Sequence, residues 1–168
     1  MGIISRFKDI MSANINALLD KAEDPEKMID QYLRNLESDL AKVKQETASV
    51  MAEEAKAKRQ LDECTAEVAK MQSYAEKAVL AGNDEDAKRF LMKKKELVVK
   101  QTSLQETYTL AAENAAKMRQ MHQKLVGDIS QLNSRRDAIK AKIAVAKTQQ
   151  TINKIGASVD GAAENLSA

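Results

Sequence analysis

The sequence predicts an all-α fold: a long antiparallel coiled-coil helical hairpin preceded by a short N-terminal amphipathic helix. Three observations predict it. Charged residues make up 31% of the 168 and aromatics only 3%, with a single proline, which is the bias of long helices rather than of a compact mixed fold. Glycine and proline are so sparse that they divide the chain into three helical segments, residues 2–22, 25–81 and 85–155. The two long segments carry apolar residues at alternating steps of three and four, sustained over many heptads.

The first segment is amphipathic. Ile3, Ile4, Phe7, Ile10, Met11, Ile15, Leu18 and Leu19 recur at spacings of three, four and seven and form one stripe of large side chains. Arg6, Lys8, Asp9, Ser12 and Asn16 fall mostly elsewhere on the wheel. Such a stripe has two uses: it packs on the hairpin, or it lies on a bilayer surface. The bulk of its residues favours the bilayer, as do Arg6, Lys8 and the terminal amine, which share the first eight residues with no acid. Over residues 1–24 there are three basic and four acidic side chains, so attraction to anionic lipid acts mainly at the first two turns. The two uses can alternate, docked at rest and inserted when active. The expected membrane-binding residues are Ile3, Ile4, Arg6, Phe7, Lys8, Ile10, Met11, Ile15, Leu18 and Leu19.

The second segment starts at Asp24-Pro25, where Asp24 suits the cap and Pro25 the first helical position. Its seam reads Ile29, Leu33, Leu36, Leu40, Val43, Thr47, Val50, Glu54, Ala57, Leu61, Cys64, Val68, Met71, Ala75 and Ala78, with only Thr47 and Glu54 polar. Gly82-Asn83-Asp84 reads as the hairpin turn, with Gly82 left-handed and Asp84 capping the third segment. The third segment's seam reads Phe90, Lys94, Leu97, Gln101, Leu104, Tyr108, Ala111, Ala115, Met118, His122, Leu125, Ile129, Leu132, Arg136, Ile139, Ile143 and Ala146. A turn this short forces antiparallel arms. At 1.5 Å per residue they run about 85 and about 105 Å, so the second overshoots the first by about a dozen residues. The organisation is then residues 1–23, amphipathic helix; 24–155, hairpin with arms 25–81 and 85–155; and 156–168, a linker or the start of a further helix, after Gly156 and Gly161.

Charge divides unevenly between the arms. Residues 25–81 carry a net of −2 and residues 84–155 a net of +7. The acids cluster at Glu53, Glu54, Asp62, Glu63 and Glu67, and the bases between Lys117 and Lys154. Solvated faces account for this, and so does lateral assembly of copies, in which Glu53, Glu54, Glu63 and Glu67 of one meet Arg135, Arg136, Lys140 and Lys142 of another. Nucleic acid is not expected as a partner, because no aromatic platform or DNA-binding motif accompanies the bases.

No enzymatic constellation is legible. Five scattered glycines make neither a P-loop nor a dinucleotide fingerprint. One histidine, His122, and one cysteine, Cys64, assemble no metal site or catalytic triad, and both read as seam residues. No metal, cofactor or enzymatic activity is expected. No apolar run is long enough to span a bilayer, and no signal peptide is evident. Arg6 stands where a myristoylation motif needs Ser or Thr. The expected location is the cytosol, with peripheral membrane contact.

The opening GIISRFKDIMSANINALLDKAEDPEKMIDQYL and the turn AEKAVLAGNDEDAKRFLMKKKEL resemble the family of phage-shock protein A and the vesicle-inducing protein in plastids. The resemblance covers about residues 1–155, and Glu23-Asp24-Pro25-Glu26-Lys27-Met28 is its most specific part. It implies a bacterial membrane-stress protein that binds the cytoplasmic face of the inner membrane through Ile3 to Leu19. It also implies large homo-oligomers, rods or rings of side-by-side hairpins in the manner of ESCRT-III proteins. Some members restrain a AAA+ transcription activator, so a regulatory module that sequesters such a partner is the alternative reading. Members usually continue with one or two further helices; a sequence ending at Ala168 reads as a truncated or a short member. Tyr74 replaces a Trp common in the family.

Overall fold

The computed structural model describes residues 2–167; the terminal amine of Met1, one of the cations expected in the first turns, and Ala168, the end of the expected linker, lie outside the described residues. The chain is helical almost throughout. A 3-10 turn, Ile3–Arg6, leads into α1 (Phe7–Ser12), followed by α2 (Ile15–Asp20), α3 (Pro25–Leu80) and α4 (Asp84–Ser167). The N-terminal amphipathic segment is thus helical in three pieces rather than one. Asn14 makes the break: it is extended, and its side chain accepts the Ala17 N–H to start α2.

The ends of the long helices follow local chemistry. Asp24 caps α3, accepting the Lys27 N–H at 3.4 Å. At its other end Gly82 has φ 75°. Its N–H donates to the Val79 carbonyl and the Asn83 N–H to the Ala78 carbonyl, the paired bonds of a Schellman motif. The cap of α4 is Asn83 and not Asp84. The Asn83 side chain accepts the Asp86 N–H at 3.2 Å and donates to the Asp86 carboxylate at 2.6 Å. Asp84 becomes the first helical residue, where a negative charge suits the helix dipole. Gly156 and Gly161 do not end α4, which continues to Ser167. Neither takes positive φ, and a lone mid-helix glycine costs only about 1 kcal/mol.

The residues group into two units, Met1–Ser12 with Asp39–Lys124, and Ala13–Ser38 with Leu125–Ala168. In the first, the hairpin arms meet along the expected seam. Val43, Ala57, Cys64 and Ala75 of α3 are buried, as are Ala87, Ala115 and Met118 of α4. The polar seam positions find partners across it. Lys94 Nζ donates to Gln72 Oε1 at 2.8 Å, and Gln101 Nε2 donates to Thr65 Oγ1 at 3.0 Å. These pairs are one heptad apart on both arms, so they fix the register that small apolar residues alone leave loose. The Cys64 thiol lies 3.4 Å from the Leu97 carbonyl.

His122 does not occupy the seam. It is exposed, and Met121 is fully buried in its place. A thioether buries without leaving a polar group unsatisfied, whereas an imidazole does not. In the second unit Ile15, Leu19, Ile29, Leu33 and Leu132 form the core. Met28, Tyr32, Leu36, Ile129 and Ile139 pack around it. Residues 140–163 of α4 are exposed on every side.

Candidate functional site

The amphipathic stripe is explained by neither the turn nor the seam, and both of its halves are docked. In the first unit, Gly2 enters with φ 67°. The Ile3 N–H donates to Glu46 Oε2 at 2.8 Å. The Ser5 hydroxyl donates back to the Gly2 carbonyl at 2.8 Å and closes the 3-10 turn. One turn on, the Arg6 guanidinium lies 3.1 Å from Asp39 Oδ1. Asp39 is 4% exposed, so the pair places a carboxylate inside the protein with one matched cation. Lys117 Nζ stands 5.3 Å from the centre of the Phe7 ring, a cation–π contact. Ile3 and Ile10 are buried, while Ile4, Phe7 and Met11 are half-buried.

In the second unit, Ile15 and Leu19 enter the core beside Ile29, Leu33 and Leu132. Both terminal nitrogens of Arg135 approach Asp20 Oδ1, at 3.4 and 3.5 Å. Leu18, the outlying member of the stripe, is 43% exposed. Lys8 faces solvent. Among the ten residues expected to bind membrane, four apolar ones are therefore sequestered by the protein itself and three are partly so.

The residues expected in assembly divide. Glu53, Glu63, Glu67, Lys140 and Lys142 are exposed, and Glu54 is half-buried. Glu67 pairs with Lys70 at 3.6 Å on the same helix. Arg135 and Arg136 face acids of their own chain, Asp20 and Asp30, the latter at 4.0 Å.

Asp39 and Glu46 had no role in the sequence reading, and Lys117 entered it only as the first base of the basic stretch. The signal for the acids was present but faint. They stand seven residues apart on one face of α3, each immediately before a seam position, Leu40 and Thr47. Such positions flank an interface and are often just solvated. Among the described residues no cluster of side chains is arranged to hold a metal ion, and no helix is long and apolar enough to cross a membrane.

The chain has relatives among known proteins. A family model described as the PspA/IM30 family matches residues 2–168. The chain is 62% identical over 168 residues to the phage shock protein A homolog of Bacillus subtilis (strain 168), covering all of this chain and 74% of that protein. It is 28% identical over 152 residues to the membrane-associated protein Vipp1 of Nostoc punctiforme, 90% of this chain and 59% of that one. It is also 28% identical over 151 residues to the protein LiaH of Bacillus subtilis, 90% of this chain and 67% of that one. The chain thus spans between about three fifths and three quarters of the length of these relatives.

Proposed function

The chain belongs to the PspA/IM30 family, and we propose that it is a peripheral membrane-stress scaffold: its N-terminal segment binds anionic bilayers and its hairpins assemble into rods or rings. The observation that carries this reading is the stripe. Its apolar side chains are bulky, yet they sit on three short helical pieces and not on a long helix. Fully burying one such side chain stabilises by roughly 1.5–3 kcal/mol, whether the cover is protein or acyl chain. Several together suffice to hold a short amphipathic segment at a bilayer surface. The word membrane-associated in the names of the Vipp1 relatives supports the same direction.

The assembly half of the proposal rests on charge and exposure. Residues 140–154 present Lys140, Lys142, Lys147 and Lys154 on an uncovered helix with no acid among them. Glu53, Glu63 and Glu67 are exposed on α3 and offer the complementary charge to another copy. Arg135 and Arg136 join that contact only by giving up Asp20 and Asp30.

Vesicle flotation with anionic liposomes tests the membrane half. The full chain is expected to float, and the double variant Phe7→Asp/Ile10→Asp to stay in the dense fraction with nearly unchanged helical content. Equal flotation of the two transfers lipid binding to the basic face of α4. If the full chain does not float, a partner-binding coiled coil becomes the better reading.

A further inference from the structure

Asp39 and Glu46 stand on one face of α3 with the fully buried Val43 between them. Each holds the first turn of the chain by a polar contact, one through the Arg6 guanidinium at 3.1 Å and the other through the Ile3 N–H at 2.8 Å. The fit is close at Gly2. A Cβ there would lie 2.7 Å from both carboxylate oxygens of Glu46, and the backbone at φ 67° is one that side-chain-bearing residues rarely adopt. The contacts therefore depend on two acids from α3 and on a glycine at the second position. None of these belongs to the apolar stripe that a bilayer would take up.

We infer that Asp39 and Glu46 form an autoinhibitory latch that keeps the N-terminal segment docked and so sets the threshold for membrane binding. The inference rests on the membrane reading under Proposed function. The latch closes on the very groups that make the first turn attractive to anions, the Arg6 cation and the Ile3 backbone N–H at the start of the turn. Its consequence is thermodynamic. When only the undocked segment binds lipid, apparent affinity is the intrinsic affinity multiplied by the undocked fraction. Weakening the latch raises that fraction before any lipid is met. Affinity then rises by the same factor on every bilayer, and lipid preference is unchanged.

Asp39→Asn with Glu46→Gln keeps the shapes, removes both charges and leaves every residue of the stripe in place. Gly2→Ala attacks the same contact from the other side by displacing the Glu46 carboxylate. Two measurements on the full chain read the result: amide hydrogen exchange over residues 3–12 without lipid, and flotation on two kinds of vesicle. One kind is pure phosphatidylcholine, the other equal parts phosphatidylcholine and phosphatidylglycerol. The double variant is expected to exchange faster over residues 3–12 and to half-saturate at about tenfold less lipid on both vesicles. Gly2→Ala is expected to move both readouts in the same direction.

Unchanged exchange in both variants overturns the latch whatever the vesicles show. Faster exchange with unchanged flotation, in a wild type that floats, overturns its control of binding. A gain confined to phosphatidylglycerol vesicles also overturns it, because the two acids then act by repelling the bilayer. If neither wild type nor variant floats while exchange rises, it is the membrane reading that fails, and control of membrane binding falls with it.

Discussion

Leu132→Ala tests how firmly the second half of the segment is held, without altering any residue of the segment. Leu132 is fully buried, in the same cluster as Ile15 and Leu19 of α2 and Ile29 and Leu33 of α3. The substitution removes three buried carbons, worth roughly 2.4 kcal/mol at about 0.8 kcal/mol each. The cavity left behind adds to this, because helices on all sides of a seam cannot fully collapse. The total expected is roughly 3–4 kcal/mol, inside the range of measured Leu→Ala changes. At about 2–4 °C per kcal/mol for a chain of this size, the thermal midpoint falls by roughly 6–16 °C. Circular dichroism reads the midpoint. Hydrogen exchange reads the location, with the amides of residues 15–20 gaining exchange beyond those of residues 40–75. A drop of under 1 kcal/mol, or a loss of protection spread evenly along the chain, would refute the reasoning, since neither is compatible with Leu132 at the centre of the cluster.

Two smaller perturbations separate backbone effects from packing. Gly82→Ala meets no neighbouring atom within 4 Å, so its cost is the left-handed backbone alone, about 1–2 kcal/mol, read as a lower denaturation midpoint. Gly156→Ala also meets open space but lies in ordinary helix, and it is expected to stabilise that stretch locally by about 1 kcal/mol. It raises amide protection around residue 156 and leaves the global midpoint where it was, because the surrounding side chains are all exposed. Cys64 is 4% exposed. Its reaction with a thiol reagent is expected to be slow in native buffer and complete in denaturant, and rapid native labelling would show that the seam opens there.

The hairpin was legible in the sequence for a physical reason. A heptad repeat read over a whole arm averages out its exceptions, so Thr47 and Glu54 did not obscure the first seam. Lys94 and Gln101 were recognisable as breaks, but not as register pins, because Gln72 and Thr65 come near them only once the arms are folded together. His122 failed as a seam residue where a strict heptad met a real choice between adjacent side chains. Met121 is the apolar one, and burial followed chemistry rather than the count. That α4 runs on without a break was not legible, because Gly156 and Gly161 suggest a border, with a linker or the start of a further helix after it. A glycine ends a helix when it turns left-handed, as Gly82 does, and nothing local compels these two to do so. The latch acids were hidden for a different reason: their partners, Arg6 and the Ile3 amide, lie more than thirty residues away in sequence.

The broken form of the N-terminal segment bears directly on how the proposed function would operate. Each helical piece, Phe7–Ser12 and Ile15–Asp20, is six residues long. Helices this short have no independent stability in water, since nucleation costs more than so few bonds return. They persist here because Ile10, Ile15 and Leu19 are covered by the rest of the chain. A segment released into water would lose its helical turns along with its cover. The side chains that hold it down are also those that a bilayer would receive, so docking and insertion compete for one surface and cannot coexist. Release and insertion are then favourable only as a coupled exchange of covers. The balance of that exchange is set less by the stripe, which both end states bury, than by the polar contacts that only the docked state makes.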